Sequence, residues 1–362
     1  MRALTVANFA HRFIVSAALT AAVWLVVQLQ PSPASAQQGC SEGCCEGCEG
    51  GGEGEGSRAP PAVTGADSSA GSINDLGKQR FNQMITHRVL GTVLLGVNEQ
   101  INCSDCVSAF GSAGSFSTGI HGRKELTPNL SLLAGIAYTQ FSEGGYSVTS
   151  APIGAFALRY DFTDWGSSRP FFDIGTILSP SEKVRYRRSY VTNFGPVTVD
   201  GQTSSQNYGA YGRAGWINRI SPRDEVAASV EVWQLWQRVK GYSDPTVAFN
   251  PFDATIATGT DKTNLVKVGG QWTHLFADNV EGNINGGFVQ SFANHSGLVA
   301  TVTSSDGTVA PTIGNQSWFE YGGRLGLRVA KGWVADLFVN GTAGPQPVGN
   351  TIHGGVGLRV NY

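Results

Sequence analysis

After residue 27 the chain has no long uninterrupted apolar run, which excludes a bundle of membrane helices from the rest of it. Charge is sparse and balanced. Only 14% of the 362 residues are charged, with 25 Lys and Arg against 27 Asp and Glu. A net charge of −2 gives no basic footprint for nucleic acid. Catalytic signatures are missing as well. Of the histidines beyond the leader, His87, His121, His274, His295 and His353, none stands in a G-x-S-x-G or H-E-x-x-H setting. His295, with Ser291 and Ser296 near it, comes nearest to a hydrolytic arrangement and lacks the motif that would assign the roles. The sequence reads as a non-enzyme and asks for no cofactor.

What is present begins with an export signal. Arg2 and Arg12 precede the apolar stretch Phe13 to Val27, followed by Pro31, Pro33 and Ala34-Ser35-Ala36. The stretch is shorter than the roughly 20 residues of a membrane span, and it ends in an A-x-A cleavage pattern. Residues 1–36 therefore read as a secretory signal peptide. Gln37, Gln38 and Gly39 before Cys40 do not make a lipobox.

Residues 37–71 are of low complexity, with Cys40, Cys44, Cys45 and Cys48 among Glu42, Glu46, Glu49 and many glycines. Such a segment buries nothing and is expected to be disordered. Its thiolates and carboxylates would suit a soft metal, but the spacing is irregular and no histidine is near, so disulfides are the competing reading. Cys103-Ser-Asp-Cys106 sits between two strand-like runs. In an exported protein it reads as a local disulfide, with a C-x-x-C redox site as the alternative.

Residues 72–84 have the polarity of a short helix, capped by Ser72 or Asn74 and weakened by Gly77. With so few apolar positions it suits a hydrated pore better than a packed core. From residue 85 the chain is strand, turn, strand. The pattern predicts strands at 86–102 and 107–123, and then more between short turns at 127–129, 164–170, 221–224, 277–279 and 331–332. Longer connections are expected near 143–147, 191–204, 241–261, 295–316 and 341–350, with the Cys103–Cys106 loop on their side. Short and long links tend to alternate, as in outer-membrane barrels, and the count comes to about twelve strands.

The last strand shows the pattern most plainly. Ile352, Gly354, Val356, Leu358, Val360 and Tyr362 share one face; Thr351, His353, Gly355, Gly357, Arg359 and Asn361 share the other. Strands at 153–162, 225–233, 280–288 and 317–329 repeat the alternation. The fold class is thus all-β: a closed antiparallel transmembrane barrel over residues 85–362, with a short helix ahead of it. The apolar faces meet lipid. The polar faces place Arg159, Asp161, Asp173, Arg213, Glu231, Lys267, Glu281, Glu320, Arg324, Arg328 and Arg359 in the lumen. Their mixed signs point to ion pairs across a narrow lumen or around a plug helix, rather than to a selective channel. Trp216, Trp236, Trp272, Trp318 and Trp333 read as girdle or lumen residues.

Signal peptide, polar helix, about twelve strands and a terminal aromatic together resemble the translocator domain of autotransporters, over about four-fifths of the chain. The resemblance implies a helix threading the pore. It also implies that Val356, Leu358, Val360 and Tyr362 form the signal read by the barrel-assembly machinery. Periplasmic chaperones, outer-membrane lipids and lipopolysaccharide would be the other partners of a monomeric barrel with surface loops. The departure is the passenger: only residues 37–71 are available. A barrel that displays its short N-terminal segment is the leading expectation, and a pore or structural barrel is the alternative.

Overall fold

A computed structural model of the chain describes residues 65–96, 105–113, 116–162, 166–247, 250–303 and 307–362. The expected signal peptide and the cysteines at 40, 44, 45, 48 and 103 lie outside them. The first element among the described residues is a helix, α1 (Gly65–Leu94), 30 residues long. It extends beyond 72–84 at both ends, and its C-terminal part takes in most of the strand expected at 86–102.

Among the described residues sixteen strands follow: β1 (Cys106–Ala113), β2 (Phe116–Thr127), β3 (Leu130–Glu143), β4 (Tyr146–Asp161), β5 (Ser168–Thr192), β6 (Gly195–Arg219), β7 (Asp224–Val239), β8 (Tyr242–Ser243), β9 (Ala254–Ile256), β10 (Gly259–Ala277), β11 (Val280–His295), β12 (Ala300–Val302), β13 (Thr308–Val309), β14 (Ser317–Ala330), β15 (Trp333–Ala343) and β16 (Thr351–Asn361). Twelve of them close into an antiparallel barrel in the order β1-β16-β15-β14-β11-β10-β7-β6-β5-β4-β3-β2. The count of twelve holds although its parts differ. The expected strand 107–123 is a hairpin, β1 and β2, and that extra strand replaces the one lost to α1.

Alternation decides which way each residue points. Along β5 the burial pattern is nearly strict, with Phe172, Ile174 and Leu178 outward and Phe171, Asp173 and Ile177 inward. The outward face of the barrel is a belt of exposed apolar side chains, among them Ile136 at 63%, Ile284 at 58% and Val356 at 62% exposed. A water-soluble protein would hide such a surface; lipid accepts it. Trp216, Trp272 and Trp333 sit on this outer face, while Trp318 is buried inside.

The two ends of the barrel differ. One end carries short turns, as between β2 and β3 or β14 and β15. The other end holds residues 240–247, 250–258, 296–303, 307–316 and 344–350, and is here named the long-loop end. Two connections expected to be long there are tight: β3 to β4 turns at Gly144-Gly145, and residues 191–204 are mostly strand at the tip of the β5–β6 hairpin. Gly144 takes a positive φ that suits glycine in such a turn. The cysteine site also changes ends. Cys106 opens β1 opposite Asn361 and Arg123, at the short-turn end. It is disulfide-bonded, and its expected partner Cys103 lies outside the described residues.

Over the long-loop end, segments from two loops make a second sheet in the order β13-β12-β9-β8. It buries Ala254, Ile256, Leu298, Ala300 and Val302 against Ile73 and Leu76 of α1 and against Tyr146, Val148, Val184 and Tyr186 of the wall. The N-terminal part of the helix is therefore roofed.

Candidate functional site: the helix in the barrel lumen

Twelve strands enclose more space than wall side chains can fill. About eight strands already give an interior that side chains just occupy. The remainder here is taken by α1, whose roughly 10–12 Å diameter and about 45 Å length suit the gap. Its sequence is shaped by that position. Apolar residues occur all round it, because Phe81, Met84, Ile85 and Leu94 pack into a core with Leu133, Ala157, Ile177, Trp233, Leu235 and Leu265 of the wall. Each such side chain contributes about 1.5–3 kcal/mol by leaving water. Small residues let the helix approach its surroundings. A Cβ at Gly91 would strike Ile177, one at Gly77 would strike Pro311, and one at Gly65 would strike the Phe252 ring.

Polar anchors give the packing a register. Arg80 Nε lies 2.7 Å from Asp261 on β10, with both side chains buried. One turn on, Gln83 donates to Glu182 of β5 at 2.6 Å and accepts from Gln237 of β7. His87 lies 2.8 Å from the same Glu182, with its other ring nitrogen 2.8 Å from the Gln83 carbonyl. Glu182 also accepts from Asn207 and Ser205 of β6. Arg88 reaches two strands at once, Glu231 on β7 at 3.2 Å and Glu320 on β14, while Lys267 of β10 holds the far oxygen of Glu320 at 3.0 Å. The guanidinium lies 5.5 Å from the centre of the Trp233 ring. A buried arginine without such partners would be strongly unfavourable. At the top of the helix, Ser69 donates to the Phe252 carbonyl at 2.9 Å, Arg188 donates to Ser69, and the Val191 amide donates to Ser68.

Arg188 pairs with Asp244 at 2.8 Å beneath the roof, and two further clusters of charge lie on the wall. On one, Asp161 is 2.8 Å from Arg159 and 3.2 Å from Arg123, and Asp173 pairs with Arg213. The Phe171 ring lies between Arg159 and Arg213, at 4.0 and 5.1 Å. On the other, Arg324 meets Glu281 at 3.1 Å and Asp336 at 3.3 Å, and Arg359 meets the same two carboxylates. Arg159 and Asp161 share β4, Arg359 reaches Glu281 three strands away, and the other pairs link adjacent or next-adjacent strands, so these contacts run along the wall. Of the eleven expected luminal charges, Glu231, Glu320 and Lys267 serve the helix; Arg159, Asp161, Asp173, Arg213, Glu281, Arg324 and Arg359 serve the wall. Arg328 does neither: it is exposed near the short-turn end.

Sequence reasoning missed the helix-side partners Arg80, Gln83, His87 and Arg88, and also Glu182 and Asp261. The signal for Arg80 to Arg88 was available as charged or amide residues spaced along one helical face. Nothing marked Glu182 as inward, because a register shift between Ser179 and Glu182 displaces the alternation of β5 there.

On the opposite flank of α1 the wall stands off. Two adjoining cavities of about 50 and 60 Å³ lie between the helix and the β1, β15 and β16 side. Ser112, Ser117, Asn340, Thr342, Thr351 and His353 line the larger one, and Asn82, Thr86, Val89 and Val93 face it from the helix. The other histidines are scattered. His274 is bound to Asp224 at 2.7 Å, and His295 is exposed. Ser291 accepts from the Gln316 amide and from Asn294.

No protein-family model matches the sequence, and no curated protein does. Among solved structures, the translocator domain of the autotransporter NalP from Neisseria meningitidis aligns with a TM-score of 0.52 at 13% identity, over 83% of this chain and 100% of that one. The β domain of the Bordetella autotransporter BrkA aligns at 0.45 and 15% identity, over 72% and 100%. The CymD monoaromatic hydrocarbon channel aligns at 0.43 and 8%, over 73% and 90%. The fold of this chain, a closed twelve-stranded barrel with a helix ahead of it, is that of an autotransporter translocator domain.

Proposed function

We propose that the protein is an outer-membrane barrel of autotransporter type, which holds its N-terminal segment at the cell surface through a helix locked in the lumen. The observation that carries this reading is the direction of α1. Its first residues, Gly65 to Leu76, lie under the roof at the long-loop end, and the chain then descends to begin the wall at the short-turn end with Cys106. Tyr362 ends the chain beside Asp105 at that same short-turn end. With short turns in the periplasm and long loops outside, everything before residue 65 is delivered outward.

Export through residues 1–36, assembly through the Val356, Leu358, Val360 and Tyr362 ending, and escort by periplasmic chaperones belong to the same proposal. The role is scaffolding and display, with no catalytic step. An epitope tag at Gly56, probed on intact cells with and without external protease, tests it. Antibody access that protease abolishes is the expected result. A tag protected until the outer membrane is broken would overturn display.

A second reading, a pore, draws on the cavities beside β1, β15 and β16. Ser112, Ser117, Asn340, Thr342, Thr351 and His353 set polar atoms among apolar side chains such as Val89, Phe110 and Phe338 in the larger one, which would let small solutes pass the helix.

A further inference from the structure

We propose that the outward face of β5, β7 and β10, immediately beyond the apolar belt at the long-loop end, is a docking surface for the phosphates of an outer-leaflet glycolipid. Five cations define it: Lys183 and Arg185 on β5, Arg238 and Lys240 at the end of β7, and Lys262 on β10, all exposed. Their height on the wall follows from the register. Tyr208 of β6 pairs with Trp236 of β7, and both point outward as the last aromatics of the belt on these strands. Lys262 stands opposite Trp236, Arg238 lies two residues beyond it and Lys240 four. On β5 Leu178 is the outward apolar side chain that precedes the register shift, Lys183 and Arg185 follow it, and Val191 lies farther out near the hairpin tip.

Neighbouring strands bring the cations together. Lys183 pairs across with Ser204, and the Lys240 amide donates to the Ser204 carbonyl, so the two lysines flank one serine, roughly 10 Å apart at two strand spacings. Arg185 stands opposite Gln202, and Arg238 opposite Gln206. The acid that the register places beside them, Asp200, is held by Arg187 at 2.7 Å. The other end of the barrel is different. There Lys124 is 2.6 Å from Asp105, and Glu125 lies exposed next to it.

This arrangement fits an amphiphile with acyl chains on the belt and anionic oxygens one step above it. Lysines supply point charges, arginines paired N–H donors for phosphate, and Ser204 and the glutamines neutral hydrogen bonds between them. The inference rests on the long-loop end being the outer end.

The test uses the full chain, purified in mild detergent, with vesicles of phosphatidylcholine doped with diphosphorylated lipid A or with its dephosphorylated form. Glycolipid retained per barrel is read by mass spectrometry at low and high salt. Wild type should retain the phosphorylated form at least tenfold over the dephosphorylated one, and lose it as salt rises. K183Q/R185Q/K240Q should drop to the dephosphorylated level, K183R/K240R should keep binding, and R328Q/K331Q at the opposite end should change nothing. Equal retention by wild type and the triple variant, both showing heat-modifiable migration of a folded barrel, would overturn the proposal. So would equal retention of both lipids. The Gly56 tag reads a different outcome: a protected tag with glycolipid retained defeats display and leaves the docking surface standing, and an exposed tag without retention does the reverse.

Discussion

The two flanks of α1 treat the same helix in different ways. Toward β5, β7, β10 and β14 the helix is gripped by buried side chains: Arg80 on Asp261, His87 on Glu182, Arg88 on Glu231 and Glu320. Toward β1, β15 and β16 it faces cavities lined by Ser, Thr and Asn. One flank fixes depth and rotation, since each anchor has a partner at only one level of the wall. The other leaves room. A plug attached on one side alone can be immovable without being a seal.

Breaking the gripping flank has the largest expected effect. Arg88→Met removes the cation between Glu231 and Glu320 and leaves buried carboxylates short of compensation. About 3–5 kcal/mol of stability should be lost, seen as a lower denaturation midpoint and faster hydrogen exchange along α1. The triple variant R88M/E231Q/E320Q should recover most of that loss, because no charge is then left unpaired. A triple variant as unstable as the single one would show that Arg88 acts by packing on Trp233 instead.

The open flank should respond differently. Val89→Trp places an indole in existing space and should change stability by less than about 1 kcal/mol. In planar bilayers the same variant should lower any conductance of the barrel, whereas R88M should raise it by loosening the plug. Equal conductance in wild type and V89W would place solute passage elsewhere.

The smallest effect lies outside both flanks, at the barrel rim. Hydrogen bonds from Lys124 and the Glu125 amide hold the Asp105 carboxyl below the usual aspartate range. A depressed folded value adds stability above the ordinary aspartate pKa, and that contribution fades as pH falls through the folded value. Asp105→Asn should slightly flatten the acid side of the unfolding profile, as read by thermal melts from pH 6 to pH 3. An unchanged profile would mean that the exposed contact is already screened by solvent.

The wall was legible in the sequence because each strand has one lipid face and one wet face, so the period of two shows directly. Strand β16 could be read residue by residue. The helix was half legible, and the reason is its surroundings. From Arg80 onward α1 has no exposed residue, so buried polar anchors such as Arg80 and Arg88 blur the contrast of faces that marks a surface helix, and Val89, Val93 and Leu94 with Gly91 look like strand residues. Between β1 and β2 the sequence has no proline or charge to mark a break. The roof sheet was invisible: two- and three-residue strands from separate loops pair only because the barrel brings those loops together.

Closure of the barrel joins β1 to β16, and the backbone amide of Tyr362 donates to the Asp105 carbonyl. The earliest wall strand therefore waits for the latest one. No N-terminal portion of the chain can complete a cylinder, so edge-free insertion in lipid is an all-or-none event at the end of delivery. A wall with its final contact at nearly maximal sequence separation carries a high entropic cost of ring closure. Until that contact forms, the polypeptide must travel as an unfolded, aggregation-prone client with two unpaired edges.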